Sequence, residues 1–154
     1  MDTIDSVPEW PTKVIAFCIG QQEYCVDVMS VWEIRCWTPA TPLPCAPDFV
    51  RGVINLRGVV LPIIDLAARL GFPPPEPAAQ HVVIVARIGT RTVGLLVDAV
   101  SDIIAVTPDI LQPAPDVFDA DAETFVRAVL VTGERMISLI SLAGVLPEVR
   151  KDAA

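Results

Sequence analysis

Apolar residues in this chain come mostly in β-branched runs bounded by Gly, Pro and polar pairs, and the i, i+3, i+4 spacing of an amphipathic helix is scarce. The pattern predicts an all-β protein. Residues 14–19 and 24–28 flank Gly20-Gln21-Gln22, and residues 81–88 and 92–97 flank Gly89-Thr90-Arg91, so two hairpins of the same design are expected. Two further strands, 50–54 and 59–64, surround the turn Asn55-Leu56-Arg57-Gly58. Asp65 suits the N-cap of a short helix over 66–70, stopped by Gly71 and the prolines Pro73, Pro74 and Pro75. Between Thr38 and Asp48, Pro39, Pro42, Pro44 and Pro47 cannot donate to a strand ladder and mark an exposed loop. A last helix is expected from near Ser141, giving way beyond Pro147 to a charged tail.

The same pattern occurs twice. Shifted by 76 residues, 49–70 falls on 125–146 without a gap, with 8 of 22 positions identical, among them Phe49, Val50, Arg51 and Val53 on Phe125, Val126, Arg127 and Val129. A shift of 69 extends the match backwards, placing Val14, Ile15, Ile19, Gly20, Val28, Val31 and Ile34 on Val83, Ile84, Ile88, Gly89, Val97, Val100 and Ile103. The growing offset puts an insertion of about eight residues in the second copy, where residues 115–124 carry Asp116, Asp119, Asp121 and Glu123. That acidic insertion reads either as a solvated loop or as a contact surface. The organisation expected is a short N-terminal arm over 1–12, two repeats over 13–72 and 80–146 joined by a Pro-rich link, and a tail over 148–154. Five strands per repeat suffice for a small barrel, and two barrels packed together explain why both strand faces look apolar.

At 154 residues and 53% apolar composition the chain can bury a sizeable core. The mean hydropathy of +0.55 reflects that core, because Pro, Gly, Asp or Arg interrupts every run well short of the 18 to 20 residues a spanning helix needs. A net charge of −8, with no basic cluster interleaved with aromatics, argues against nucleic-acid binding. Cys18, Cys25, Cys36 and Cys45 lack C-x-x-C pairing and read as reduced, structural thiols; with no export signal, a cytoplasmic location is expected.

Reactive constellations are scarce. His81, the one histidine, heads an apolar strand, and no nucleophile elbow, P-loop or G-x-G-x-x-G occurs. Asp27, Asp65 and Asp98 read as strand-end or capping residues that tertiary structure alone could gather into a carboxylate set. Arg57 stands out, since its Gly-closed turn should project it into solvent and its repeat counterpart is Gly133. It is either an ordinary turn charge or a recognition residue for a partner carboxylate or carbonyl.

Several segments resemble the CheW coupling proteins of bacterial chemotaxis. Tyr24-Cys25-Val26-Asp27-Val28 with Val31-Trp32-Glu33-Ile34-Arg35 is similar to the family's first-repeat segment, and residues 52–58 through Pro62-Ile63-Ile64-Asp65-Leu66 resemble its most recognisable motif. Residues 93–102, Pro113-Ala114-Pro115 and Gly133-Glu134-Arg135-Met136-Ile137 continue the likeness in family order. The resemblance implies two SH3-like five-stranded barrels forming a non-enzymatic adaptor, without cofactor or metal, that couples methyl-accepting chemoreceptors to the histidine kinase CheA at membrane-associated arrays. It implies a receptor site at Val28, Val31, Arg57, Val82 and Ile103, where a helical hairpin tip would enter an apolar groove, and kinase contacts at Glu33, Arg51, Gln112, Asp116 and Val117. No direct membrane insertion is implied. The chain departs from the family pattern at Gln112, Val117, Ala128 and Ser141, which bears on the second-barrel contact more than on the fold. Two other functions remain as alternatives: a regulatory module holding a small apolar ligand between the barrels, and an enzyme using Asp27, Asp65 or Asp98.

Overall fold

The computed structural model of the chain describes residues 11–47, 49–71, 81–113 and 126–142. Its strands are β1 (Lys13–Ile19), β2 (Gln22–Asp27), β3 (Val31–Cys36), β4 (Val50–Leu56), β5 (Val59–Asp65), β6 (Val82–Ile88), β7 (Arg91–Val97), β8 (Ala99–Ala105), β9 (Leu111–Pro113), β10 (Val126–Thr132) and β11 (Arg135–Ile140). A 3₁₀ turn, Val28–Ser30, links β2 to β3, and a short helix α1 (Leu66–Arg69) follows β5. This is the all-β protein expected, with helix α1 capped as expected by Asp65, whose Oδ1 accepts from the Ala68 N–H. No helix among the described residues is long and apolar enough to cross a membrane. The expected arm up to residue 10, the Pro-rich link, the acidic insertion, the tail and most of the last helix lie outside the described residues.

The strands form two sheets, ordered β8-β1-β2-β11-β10-β9 and β3-β6-β7-β5-β4. The expectation of one barrel per repeat is corrected here. Each sheet takes the leading hairpin of one repeat and inserts it among strands of the other: β6-β7 sits between β3 and β5, and β1-β2 between β8 and β11. Parallel pairings complete both insertions, Ile63 opposite Gly94 in one sheet and Leu139 opposite Cys25 in the other. These two pairs are equivalent under the shifts of 76 and 69, so the exchange is symmetric. A hairpin is specified locally by its turn and alternation, but its outer edges can pair with either copy of a duplicated unit. Local pattern therefore predicts the hairpins and leaves their placement open.

Alternation along the strands explains the consecutive apolar runs. On β1, Val14 and Ala16 enter the interior of the six-stranded sheet while Phe17 and Ile19 face a central core between the sheets. On β6, Val83 and Val85 enter the interior of the five-stranded sheet while Ile84 and Ala86 join the same central core. Each strand is buried on both faces, the arrangement that gives near-continuous hydrophobic sequence. The central core is the largest of the three, with Phe17 stacked on Tyr24 at 6.2 Å and residues from both repeats throughout.

The five-stranded sheet bends back on itself just after β3. Thr41 exchanges both backbone hydrogen bonds with Val53 on the opposite edge strand β4, at 2.8 and 2.9 Å, bringing the sheet's two edges together as a small barrel requires. Gly52 permits it. Its φ is +140°, and a Cβ there would lie 2.3 Å from the Thr41 carbonyl oxygen. In the six-stranded sheet β9 takes the equivalent place as a short strand paired along β10.

Candidate protein-interaction surface

Among the described residues, every two-residue hairpin turn but one has glycine at its first central position: Gly20, Gly89 and Gly133 have φ of +61°, +64° and +64°. The exception is Arg57, which turns β4 into β5 with φ of +52°, followed by Gly58 at +88°. Two successive positive φ values make the mirror-image turn that suits strand twist, and the Asn55 Oδ1 supports it by accepting from the Gly58 N–H at 2.7 Å. Arginine is a poor choice for that backbone. Its side chain is 68% exposed, as expected, and reaches back to donate to Glu33 Oε1 at 2.5 Å.

Glu33, on β3, also accepts from Arg35 at 3.0 Å. The Arg57 hydrogen bond, and then that of Arg35, holds its carboxyl below the usual glutamate range, and the same contact raises the Arg57 guanidinium. One expected receptor residue and one expected kinase residue thus belong to a single charged cluster on the first barrel, the five-stranded sheet. Arg51 is built differently. It is the extra residue of a bulge in β4 and donates through Nε to the buried carboxylate of Asp65 at 2.9 Å, with a second nitrogen at 2.8 Å. Asp65 is 2% exposed, so Arg51 is committed to the fold as well as being a surface candidate.

Val28 lies in the 3₁₀ turn, half-buried, and Val31 begins β3 opposite Ala86, packed on the central core. Ile103 is 61% exposed on the edge strand β8, opposite Ile15 of β1. Val82 packs on the central core too, but its β3 partner is Cys36, so it sits at the far end of the β3–β6 pair from Val31, about 13 Å along the strands. Gln112 is exposed on β9; Asp116 and Val117 lie outside the described residues. Sequence reasoning passed over Met29, Trp32, Val59, Val60 and Met136, all more than half exposed, of which Trp32 lies beneath the Arg87 guanidinium at 5.1 Å.

The three aspartates considered for chemistry each have structural hydrogen bonds. Asp27 caps the 3₁₀ turn through the Met29 N–H, Asp65 caps α1, and Asp98 accepts from the Gly20 N–H at 2.7 Å with His81 Nε2 at 3.6 Å. Cys25 is fully buried, and desolvation pushes its thiol up to about 12, which keeps it protonated and unreactive at neutral pH.

The model of the CheW-like domain matches residues 13–150 of this chain. The probable chemotaxis protein CheW of Rhizobium etli is 52% identical, over 98% of this chain and 97% of its own length. The chemotaxis protein CheW of Rhizobium meliloti is 54% identical, over 92% of each. Among solved structures, the scaffolding protein TtCheW of Thermoanaerobacter tengcongensis superposes with a TM-score of 0.78 at 32% identity, covering 86% of this chain and 90% of that one. With barrel architecture, repeat and motifs all in agreement, the chain belongs to the CheW-like domain family.

Proposed function

We propose that this protein is a non-enzymatic adaptor of chemosensory arrays, coupling the cytoplasmic signalling tips of methyl-accepting chemoreceptors to the regulatory domain of the histidine kinase CheA. It works from the cytoplasm at membrane-associated arrays and needs no cofactor. Val28, Val31, Val82 and Ile103 provide the apolar contacts of the receptor site, with Arg57 at its edge. Glu33, Arg51 and Gln112, with Asp116 and Val117, provide the kinase contacts. Affinity at each contact can be modest, because array geometry converts later binding events into local ones.

The observation that carries this reading is Arg57. An exposed ion pair to Glu33 gains little in water, so it does not explain why arginine occupies a backbone position that three sister turns give to glycine. Recognition of a partner explains it. The test is Arg57→Gly, which matches the sister turns. Its urea midpoint is expected to stay level or rise, while kinase activation in receptor-containing membranes falls about tenfold through loss of a charge-assisted bond. Undiminished activation by a folded Arg57→Gly protein would refute the assignment.

A further inference from the structure

The hairpin β1–β2 belongs to the first repeat by sequence, yet the strands on either side of it belong to the second. β1 lies along β8 from Lys13, opposite Ala105, to Cys18, opposite Ala99, and β2 runs parallel to β11 with Cys25 opposite Leu139. Val14, Ala16 and Cys25 complete the second barrel's core around Leu130, Ile137 and Leu139, while Phe17, Tyr24 and Val26 reach the central core. Polar contacts cross the same boundary. Arg135, where the first barrel has Val59, donates to Glu23 on β2 at 3.1 and 3.2 Å as well as to Asp102 on β8, and Asp98 accepts from the Gly20 N–H at 2.7 Å. Remove the hairpin, and the six-stranded sheet parts into β8 on one side and β11-β10-β9 on the other.

The hairpin is tied to β3 by only three residues, the 3₁₀ turn Val28–Ser30, none of which is fully buried. Met29 is 80% exposed. The hydrogen bonds of the turn are local, the Met29 N–H donating to Asp27 Oδ1 at 2.9 Å and the Val31 N–H to the Val28 carbonyl. The turn can straighten without stranding a buried polar group. The other crossing between the barrels is fixed, because the single residue Asp98 joins β7 to β8 and its N–H donates to the Cys18 carbonyl at 3.0 Å. Straightened, Val28–Ser30 spans about 10 Å and leads the hairpin away from its own second barrel.

We propose that a second copy of this chain is a partner, and that two chains form a dimer by exchanging β1–β2, the hairpin of each filling the gap between β8 and β11 of the other. Every pairing and core contact of the hairpin is remade between copies, so the closed and exchanged forms differ at the turn and in the entropy of association. The monomer prevails in dilute solution, where the short tether keeps each hairpin at high local concentration beside its own barrel. Exchange requires the second barrel to open, so either form persists once made. None of this depends on the adaptor reading, which stands or falls separately.

The chain is unfolded in urea under reducing conditions, refolded at about 5 or about 300 µM, diluted and separated by size exclusion. A dimer is expected from the concentrated sample only, and it should survive dilution for hours. A lock tests whether that dimer arises by exchange. Because the Val106 N–H donates to the Thr12 carbonyl, Lys13 and Ala105 form a non-hydrogen-bonded pair with Cα atoms about 4.5 Å apart, close enough for a disulfide. K13C with A105C, in a background where Cys18, Cys36 and Cys45 are changed to Ser and Cys25 to Ala, is oxidised as the native monomer and then taken through the same refolding. The locked chain should give no dimer, and its reduced form should dimerise like the parent. Deletion of Met29 and Ser30, which leaves a tether too short to fold back, should give dimer at both concentrations. The lock leaves the turn untouched and decides the matter if the shortened chain does not fold. No persistent dimer of the parent at the higher concentration, as much dimer from the locked chain as from its reduced form, or a folded monomer of the shortened chain would overturn the proposal.

Discussion

The first barrel (β3 to β7) and the second (β1, β2 and β8 to β11) share strand order, parallel register, both bulges and the division of the inserted strands β6 and β1 between two cores. They differ where they close and where they meet solvent. The first closes through a single bridge at Thr41 and Val53 made possible by Gly52; the second closes through β9, with the buried Ala128 at the position of Gly52. The first buries the carboxylate of Asp65 under Arg51, while Ser141 stands at that place in the second. Duplication preserved what pairing and packing demand, and left each copy free to vary the edge and the exposed face. The result is a symmetric scaffold with an asymmetric surface.

The sharpest way to break this comparison is at the closure. Gly52→Ala puts a methyl group into the Thr41 backbone at a φ that L residues rarely adopt, so the bridge must open. Overpacking and backbone strain together predict a loss of about 3 to 4 kcal/mol in urea unfolding. Ala128→Gly in the second barrel should cost only about 1 kcal/mol, through the lost methyl and added chain entropy. Equal effects at the two positions would mean that the barrels close alike after all.

A smaller effect is expected from the buried carboxylate. Asp65→Ala removes the Arg51–Asp65 ion pair and the cap of α1, and should cost about 2 kcal/mol, less than a fully buried pair because Arg51 is partly solvated. Arg51→Ala should lose a similar amount, and the double variant less than the sum, if the two residues act as one unit. Additive losses in a double-mutant cycle would show that the cap alone matters.

Much of this architecture is legible in the chain. The three hairpins, helix α1 and the repeat offsets of 69 and 76 all follow from alternation, turn residues and self-comparison, because each depends on neighbours in sequence. The exchange of hairpins was not legible, since Ile63 meets Gly94 and Leu139 meets Cys25 only through long-range parallel pairing that no local pattern specifies. The surface was read in part. Arg57 was found from its turn, but pairing it with Gly133 hid that Arg135, two residues further on, puts a guanidinium on Asp102 much as Arg57 puts one on Glu33. The exposure of Trp32 was passed over, although an aromatic residue facing Ser101 in the repeat alignment was the available signal.

The smallest expected effect tests whether that second-barrel cluster is held by charge. The hydrogen bond from Arg135 keeps the Asp102 carboxyl below the ordinary aspartate range. A carboxyl whose value is lowered on folding adds stability above its unfolded value, near 3.9, and loses it as pH falls through the lower folded value. Asp102 is 47% exposed and well screened, so the contribution is only about 0.3 kcal/mol. Arg135→Val, which installs the first barrel's residue, should therefore reduce stability slightly at pH 5, and the difference from the parent should shrink as pH drops below about 3.9. Added salt should shrink it too. Urea midpoints of the two proteins across that window measure the effect directly. A difference that persists unchanged at low pH and high salt would mean that Arg135 stabilises the second barrel by covering its face with the aliphatic stem, and that the two faces differ in packing and not in charge.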